Sequence, residues 1–485
     1  MDGESYKDIM KKLYKSLIVV LIVLCITCLL FACTPTTDEQ NNDNNQNTTD
    51  NIDNPTDDNG DDNNSSTTPG TTPELKPSLG NNNVFVFEPI VDTKTCYLKA
   101  VSIVNPVVEI PATNNGLTVV KIAPQVFYSN EMVREVSIPD TIVEIGERAF
   151  SLCVNLEKVN ISASSQLKKI GARAFFSTER LHTINLPSEL LEVGDEAFSG
   201  CIDLLNLTFP NSLVKVGANA FHAGWFHSIT ENKVLYVGKV AYAYIPESEN
   251  PTIKDITLND DTVSIASKAF YDNDYISSIS IPASVSYIGA LALNNSGALN
   301  TISVDNANEV YSSEGNALIE KDSATLIATT PSTIVPAYVE TIGEEAFAYL
   351  EGITNITLPD SVKVIGKGAF KGSKVVNVNI PHQVTTIEED TFLSCDMLES
   401  ITIHANITTI KSASFNYCTA LKVVVVESET IYDILDTPFA CSGLIARADV
   451  VYVLEGLEGQ ADQLFTGFNP TTSDRSGYTK YVKEI

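Results

Sequence analysis

The chain has 485 residues and a formal net charge of −30, and so acidic a body repels a phosphate backbone. We therefore expect no nucleic acid among its partners, and solubility is the plainest role for the charge. The length also exceeds that of one compact core, unless the chain is built from repeats that contact only their neighbours.

A basic and then apolar segment opens the chain. Lysines precede an apolar run from Leu17 to Leu30, which is shorter than the ~20 residues that a membrane-spanning helix needs. This order predicts a secretory signal at residues 1–33. The run ends in Leu-Phe-Ala-Cys, which resembles a bacterial lipobox, so we predict that Cys33 is lipidated. The alternative is an ordinary signal peptide in which Cys33 has no part.

Residues 34–80 consist almost wholly of Asn, Asp, Thr, Ser, Pro and Gly. Ten acidic residues and one lysine give this segment a net charge of −9. Such a composition cannot bury enough apolar area to fold, so we predict a disordered acidic tether.

One phrase, Ile-Gly-x-x-Ala-Phe, recurs along the chain and most often returns after 23 residues. Clear copies end at Phe150, Phe175, Phe198, Phe221, Phe347 and Phe370, and looser copies end at Phe127, Phe270, Leu293, Phe392 and Phe415. A fixed period of this length is typical of a solenoid, in which each coil is buried against the next. We therefore predict a repeat solenoid of leucine-rich-repeat type, with mixed β structure and a parallel β-sheet face.

The segment from Ile138 to Ile161 shows what one coil contains. Its last three residues, 159–161, alternate as a strand does, and Gly146 suits a turn that needs a positive φ. Phe150 and Cys153 lie three residues apart, which predicts a short helical or 3₁₀ arc with one apolar face. Stacked coils then place one phenylalanine over the next.

Several cysteines follow a repeat phenylalanine by three residues; these are Cys153, Cys201, Cys395 and Cys418. This position predicts one buried column, in which cysteine acts as a small hydrophobe. Cys395 and Cys418 lie on adjacent coils, so a strained disulfide between them is the alternative.

Neighbouring parallel strands also place one outward side chain above another, in a polar column with hardly a charge. We call this column the strip; its residues are Ser137, Asn160, Asn185, Thr208, Ser280, Ser303, Thr357, Asn379 and Thr402. One interpretation is a solvated sheet face made of residues that strands tolerate. The other is a row of hydrogen-bonding groups for an extended partner, and the length of the row supports it.

Two insertions interrupt the period, at about residues 224–250 and 305–332. Each contains alternating residues around a Gly-Lys or Lys-Asp turn, which predicts a β-hairpin that projects from the array or widens one coil. Trp225 opens the first insertion and is a candidate aromatic contact for a partner. The alternative is that Trp225 packs under its own hairpin.

The ends of a solenoid need caps, because the last coils would otherwise expose their core. Residues 84–121 look like a degenerate first coil, so we predict that the repeat body with its N-terminal cap spans residues 81–426. Residues 427–485 lose the phrase and carry a last strand at 450–453. We predict that they form the C-terminal cap.

The repeats resemble the BspA-like leucine-rich repeat family, whose consensus is similar to residues 138–159 and 186–207. The resemblance covers residues 107 to about 426. It implies a curved repeat body on a secreted or surface protein, and some members of the family are adhesins that bind matrix proteins or other cells. The family shares no catalytic residues, so none is carried over.

Motifs for catalysis are missing from the sequence. The five histidines are scattered at surface-type positions, and neither His-Glu-x-x-His nor Gly-x-Ser-x-Gly occurs. We therefore expect no enzyme activity, no metal and no cofactor.

These features together predict a lipid-anchored protein on the surface of a bacterial cell envelope. We expect it to be attached to the membrane through its N-terminal lipid and to bind extracellular proteins or cell surfaces, as an adhesin does. The alternative function is a surface lipoprotein that captures glycans or solutes without catalysis.

Overall fold

The computed structural model describes residues 78–80, 83–205, 207–222, 233–246, 252, 254–427, 450–454, 468–471 and 473–483. The predicted signal with Cys33, nearly all of the predicted tether, and Trp225 lie outside the described residues. Within the described ranges every regular element is a strand. None of these residues belongs to a helix that is long and apolar enough to cross a membrane.

The strands are short, because each one crosses a single side of a coil. β1 to β12 are Ser78–Gly80, Asn83–Pro89, Thr95–Ser102, Val107–Glu109, Thr113–Asn114, Leu117–Ile122, Glu135–Ser137, Glu144–Ile145, Lys158–Asn160, Lys169–Ile170, Thr183–Ile184 and Glu192–Val193. β13 to β24 are Lys215–Val216, Lys233–Val237, Val240–Ile245, Lys254–Thr257, Ser264–Ile265, Ile276–Ile281, Tyr287–Ile288, Thr301–Val304, Tyr311–Glu314, Ala317–Glu320, Thr325–Ala328 and Thr341–Ile342. β25 to β34 are Asn355–Ile356, Val364–Ile365, Asn377–Val378, Thr386–Ile387, Ser400–Ile403, Thr409–Ile410, Val423–Val426, Val450–Leu454, Phe468–Thr471 and Tyr478–Lys483.

Each regular coil contains two strands and a return segment. The first strand, such as β9, lies on the side of the strip, and the second, such as β10, ends just before the glycine of the phrase. We call them the strip strand and the glycine-side strand, and we call the return segment with the phenylalanine the arc. Successive strip strands pair in parallel, as β7, β9 and β11 do, and so do the glycine-side strands β8, β10 and β12. The predicted solenoid with a parallel sheet face is confirmed.

The phenylalanines of the arcs stack inside the coils. The ring centroid of Phe175 lies 5.2 Å from that of Phe150 and 5.2 Å from that of Phe198, with nearly parallel planes. A second stack runs from Phe347 to Phe415 with the same geometry. Stacked rings of this kind dominate the energy of a core, because each buries a large apolar area.

The arcs are not helical, so the prediction of helical or 3₁₀ arcs is wrong. Alternate amides bond the next coil: Arg148 N–H donates to Ala172 O over 2.9 Å, and Phe150 N–H donates to Ala174 O over 2.7 Å. Arg148 and Leu152 have φ values of 52° and 61°, in the left-handed region. Such residues stop a helix from propagating, since helical φ is negative. Each arc is therefore a chain of turns bonded sideways to its neighbours.

The glycine of the phrase provides close packing between coils, and the prediction that it provides a positive φ is wrong. The φ of Gly146 is not in the left-handed region, which Arg148 occupies two residues later. A Cβ on Gly146 would lie 2.7 Å from the carbonyl oxygen of Ile122, and a Cβ on Gly194 would lie 2.5 Å from the amide nitrogen of Ala172. A side chain has no room where two coils approach this closely.

Both insertions add strands to the glycine-side sheets. β14 and β15 form an antiparallel pair, and β15 then pairs in parallel with β17 of the next coil. β21, β22 and β23 form an antiparallel meander, and β23 pairs in parallel with β24. The array continues across both sites, because Ser267 N–H donates to Val216 O over 3.0 Å and the Asn294 side chain donates to Glu345 O over 2.8 Å.

Antiparallel strands lie at both ends of the array. β2 pairs antiparallel with β3, which continues in parallel into β6. The buried Asn83 side chain accepts hydrogen bonds from the amides of Val104 and Asn105, over 2.7 and 2.8 Å. At the other end β32 pairs in parallel with β31, and β34 pairs antiparallel with β32. The parallel ladder therefore passes into antiparallel strands on either side.

The cysteine column has a hydrogen-bonding role besides its packing role. Cys201 Sγ donates to the carbonyl oxygen of Phe175 over 3.1 Å. In the same way Cys395 Sγ donates to the carbonyl oxygen of Phe370, and Cys418 Sγ donates to that of Phe392. All these cysteines are free and buried, so no disulfide joins Cys395 and Cys418 in this structure. Threonine and serine take the same place in other coils, where Thr178 and Ser296 bond phenylalanine carbonyls.

Replacing Cys201 with valine should lower the free energy of unfolding by up to about 1 kcal/mol relative to Cys201→Thr, because the carbonyl of Phe175 loses one of its two donors and keeps only Thr178 N–H, at 3.2 Å. Valine and threonine have the same shape, so the comparison isolates the hydroxyl. Urea unfolding of the two variants measures the difference. Equal midpoints would mean that the column acts through packing alone.

Candidate functional site

The strip residues lie on the outer face of the strip sheets. β7 and β9 place Ser137 opposite Asn160, and β18 and β20 place Ser280 opposite Ser303. Asn185, Thr208, Thr357 and Asn379 are exposed, whereas Ser137, Asn160, Ser280, Ser303 and Thr402 are half-buried. The structure thus distributes the strip over several sheets along the array.

Part of the strip is already hydrogen-bonded within the fold. The Asn160 amide donates to Glu135 over 2.7 Å and to Ser137 over 3.2 Å. The hydroxyl of Ser303 donates to that of Ser280 over 3.0 Å. These contacts brace neighbouring coils, and such residues have less capacity to bind a partner.

A second outward column runs beside the strip and was missed in the sequence. It contains the residues two positions earlier in each coil, such as Asn355, Asn377 and Ser400. Asn355 and Asn377 pair along β25 and β27, and Ser400 begins β29 in the next coil. The amide of Asn377 donates to Asn355 Oδ1 over 3.1 Å. The period-2 alternation of a strand was the signal that would have found this column.

The two columns form a groove of about 530 Å³ near the C-terminal end of the strip. Strip residues Thr357, Asn379 and Thr402 line the groove, and Asn355, Asn377, Ser400, His382, His404 and Glu427 complete its polar lining. Glu427 is the one acidic side chain among them, and none of the described lining residues is a lysine or arginine. Apart from Glu427, the described lining therefore offers mainly neutral hydrogen-bonding groups.

His404 is only 2% exposed, so the expectation that all the histidines occupy surface positions is wrong for this one. Its Nε2–H donates to Pro381 O over 3.1 Å, and its Nδ1 accepts from Asn406 N–H over 3.3 Å, which assigns the neutral tautomer. Burial lowers the pKa of His404, and His382, whose ring centroid lies 4.9 Å away, lowers it further. The Pro381 carbonyl and Glu427 oppose this shift without reversing it.

The lowered pKa makes stability depend on pH. The folded chain binds a proton at His404 less readily than the unfolded chain, in which the pKa of histidine is ~6.5. The contribution of neutral His404 is therefore complete above pH ~6.5 and is lost as the pH falls through the folded pKa. We expect urea unfolding to give a lower free energy at mildly acidic than at neutral pH.

The variant His404→Pro isolates this effect, because proline occupies the same place in neighbouring coils at Pro359 and Pro381. The free energy of unfolding of the variant should fall less steeply with acid than that of the parent chain. Parallel pH profiles for the two proteins would show that another group is responsible.

The glycine-side sheet presents charged side chains instead. Lys121, Glu144, Lys169, Glu192 and Lys215 stand on successive strands and alternate in sign. Lys121 pairs with Glu144 over 3.0 Å, and Lys169 pairs with Glu192 over 2.8 Å. These partly exposed pairs neutralise one another, so the groove of about 410 Å³ beside them is the weaker candidate for a site.

Comparison with known proteins gives the family. The profile of the BspA type leucine rich repeat region matches residues 120–248, 248–325 and 319–445, in six copies. The chain belongs to the BspA-type leucine-rich repeat family. No curated protein sequence matches this BspA-type chain at a significant level.

Several solved structures are similar to part of this chain. A leucine rich cell surface protein from Faecalibacterium prausnitzii is 23% identical over 82% of this chain and 99% of that chain, with a TM-score of 0.42. The pneumococcal vaccine antigen PcpA is 19% identical over 73% of this chain and 82% of that chain, with a TM-score of 0.36. A leucine-rich repeat protein from Bacteroides ovatus is 22% identical over 71% of this chain and 70% of that chain, with a TM-score of 0.24.

The cysteines that the structure describes in this BspA-type chain are buried. Burial raises the pKa of the Cys153 and Cys201 thiols to about 12, so both stay protonated at neutral pH and are poor nucleophiles. Within the described ranges no three or more His, Cys, Asp or Glu side chains are grouped to hold a metal ion. The groove on the strip sheets is the arrangement that suits binding best.

Proposed function

We propose that this chain is a lipid-anchored protein of the bacterial cell surface that binds extracellular proteins or other cells, as an adhesin does. The observation that carries the proposal is the groove on the strip sheets. The groove is open, and some hydrogen-bonding groups of the side chains that line it have no partner among the described residues. The second proposed function, capture of a glycan or solute, has the neutral lining of the groove in its favour.

The scaffold supports a binding role for a physical reason. The groove residues stand on strands that pair in register and cover a core of stacked phenylalanines. A surface held in this way loses little conformational entropy when a partner binds. Contacts with a partner therefore increase the affinity without a large entropic cost of ordering the surface.

The anchor is proposed from Cys33 and the segment after it. A lipid on Cys33 and a flexible tether over residues 34–80 would hold the repeat body, proposed as 81–426 with a C-terminal cap at 427–485, away from the membrane. A coil of this length reaches roughly 35–40 Å. Trp225 remains a candidate contact in the proposed first insertion, at about 224–250.

Expression of the full chain in a bacterium tests the anchor. The parent protein should carry a fatty-acid label and remain with the membrane fraction, whereas Cys33→Ala should lose the label. Mass spectrometry of the mature N-terminal peptide then gives the position of cleavage. A cleaved peptide without lipid would support the ordinary signal peptide instead.

Binding of labelled full chain to immobilised matrix proteins and to whole cells tests the adhesive role. We expect saturable binding that unlabelled protein displaces. The absence of saturable binding to both kinds of target would overturn the adhesive function and leave the capture of a small ligand.

A further inference from the structure

The strip groove contains a row of polar groups that the fold leaves unused. The hydroxyls of Thr357, Ser400 and Thr402 make no side-chain hydrogen bond with any described residue. Asn377 uses its amide to bond Asn355, and its Oδ1 has no partner among the described residues. These four side chains come from three successive coils. Asn377 lies on β27, Ser400 and Thr402 lie on β29, and Thr357 is the residue just after β25.

Other groups of the groove are held in place by the fold. Asn379 Oδ1 accepts from Leu358 N–H over 2.7 Å, and its amide donates to Leu358 O over 2.9 Å. Glu427 accepts a hydrogen bond from the hydroxyl of Tyr478. These bonds fix the walls of the groove. The chemistry of the groups without a partner therefore indicates which ligands the groove can bind.

The chemistry of the lining excludes several ligand classes. Phosphate, sulphate and carboxylate groups need cations, and the described lining contains no lysine or arginine. An apolar ligand would leave the free hydroxyls without partners in a desolvated groove, which costs free energy. A neutral ligand with many hydroxyls satisfies both conditions.

The spacing of the coils favours one kind of neutral ligand. In this half of the array the stacked phenylalanine rings lie 5.0, 5.4 and 5.3 Å apart, which gives the spacing of successive coils at the arcs. Parallel strands that pair on the strip face lie about 4.8 Å apart. A peptide that runs along the array advances about 3.3 Å per residue and falls out of register with the coils. A sugar unit in an extended β-linked chain advances by close to one coil.

The geometry points to a site for a neutral, β-linked oligosaccharide that lies along the axis of the array, one sugar unit to each coil. Thr357, Ser400 and Thr402 exchange hydrogen bonds with its hydroxyls, and Asn377 accepts one. His382, at the exposed rim of the groove, stands beside the chain. The inference rests on the proposed function in one respect, because both place the binding surface on the same face of the strip sheets.

The hollow on the preceding strip strands provides a natural contrast. It has about 250 Å³ and contains Ser280 and Ser303, whose hydroxyls bond each other, together with Asp260 and Asp305. Its strip hydroxyls are thus engaged and its rim is acidic. The free neutral row is a property of the groove near Thr402.

Calorimetry of the full chain tests the site, with neutral glucose and N-acetylglucosamine β-linked oligomers as ligands and sulphated oligomers for comparison. The neutral oligomers should bind with little dependence on salt, because no charge is neutralised. The double variant Thr357→Val/Thr402→Val keeps the shape of both side chains and removes both hydroxyls. It should raise the Kd about tenfold or more.

Two controls separate the hydroxyls from the fold. Thr409→Val makes the same change at an exposed residue of the glycine-side strand β30, outside both the strip and the groove, and should leave the Kd unchanged. Thr402→Ser keeps the hydroxyl and should retain affinity within a few-fold. Failure of every neutral oligomer to bind, or equal Kd values for the double variant and Thr409→Val, would overturn the site.

The adhesion assay distinguishes this inference from the proposed function. If cells bind and the oligomers neither bind nor compete, the adhesive function stands and the oligosaccharide site falls. If the oligomers bind and depend on the two threonines while cells and matrix do not bind, the site stands and the adhesive function falls.

Discussion

Replacing Phe175 with alanine should lower the free energy of unfolding by about 3–5 kcal/mol. The ring is fully buried and stacks against Phe150 on one side and Phe198 on the other, each at 5.2 Å. Alanine leaves a cavity that the coils cannot close, because Phe175 N–H donates to Ala197 O over 2.8 Å and holds the arcs at a fixed spacing.

Urea unfolding followed by circular dichroism measures the loss. The matched control is Tyr417→Ala, which also removes an aromatic ring from an arc, but one that is 63% exposed. The control should change the free energy of unfolding by less than about 0.5 kcal/mol. Similar losses for the two variants would show that the stack does not carry the stability of the array.

The coupling between neighbouring rings follows from the same geometry. Each coil contacts only its neighbours, so a cavity at Phe175 weakens the contacts of Phe150 and Phe198 as well. The double variant Phe175→Ala/Phe198→Ala should therefore lose less than the sum of the single losses, since the second ring has already lost one face.

The stack itself was predictable from the sequence. The recurrence of Phe at a nearly fixed period places the rings in one column, and the rings of Phe150, Phe175 and Phe198 are stacked as expected. The arcs were not predictable in the same way. Three-residue spacing fits a helical turn, but the positive φ of residues such as Arg148 depends on amide bonds to the next coil, which a single repeat does not display.

The strip was predictable only as a column of residue types. Strand alternation placed Thr357 and Asn379 on the outer face, yet it gave no sign that Asn379 would bond the Leu358 backbone while Thr357 would remain free. His404 shows the same limit, because it takes the place that proline has in neighbouring coils and its burial depends on the coils beside it. The groove arises from this packing, which the sequence pattern does not record.

Two adjacent coils have a charged residue at the glycine position of the phrase. Glu388 and Lys411 occupy the glycine position in two adjacent coils, and their side chains form an ion pair at 2.6 Å. The glycine-side ladder is interrupted between β26 and β28, where Glu388 stands at the glycine position. β28 and β30 still pair although Lys411 stands at the glycine position after β30, so these two coils accommodate the larger side chains at the surface.

Replacing Gly194 with alanine should lower the free energy of unfolding by about 3 kcal/mol, although the change adds a single methyl group. The new Cβ would lie 2.5 Å from the amide nitrogen of Ala172 and 2.8 Å from its Cα. Both atoms belong to the backbone of the preceding coil, so a side-chain rotation cannot relieve the contact. The coils would have to separate, and Gly194 N–H would lose its bond of 2.8 Å to Ile170 O.

The control is Gly297→Ala, at an exposed glycine whose Cβ would meet only the flexible carboxylate of Asp274, at 3.1 Å. The control should change the unfolding free energy by less than about 1 kcal/mol. Alanine is already present at the glycine position in Ala266, where the neighbouring strand is β15 of the insertion. If Gly194→Ala were as stable as the control, the close approach of β10 and β12 would not be what requires glycine, and the period of the phrase would need another physical cause.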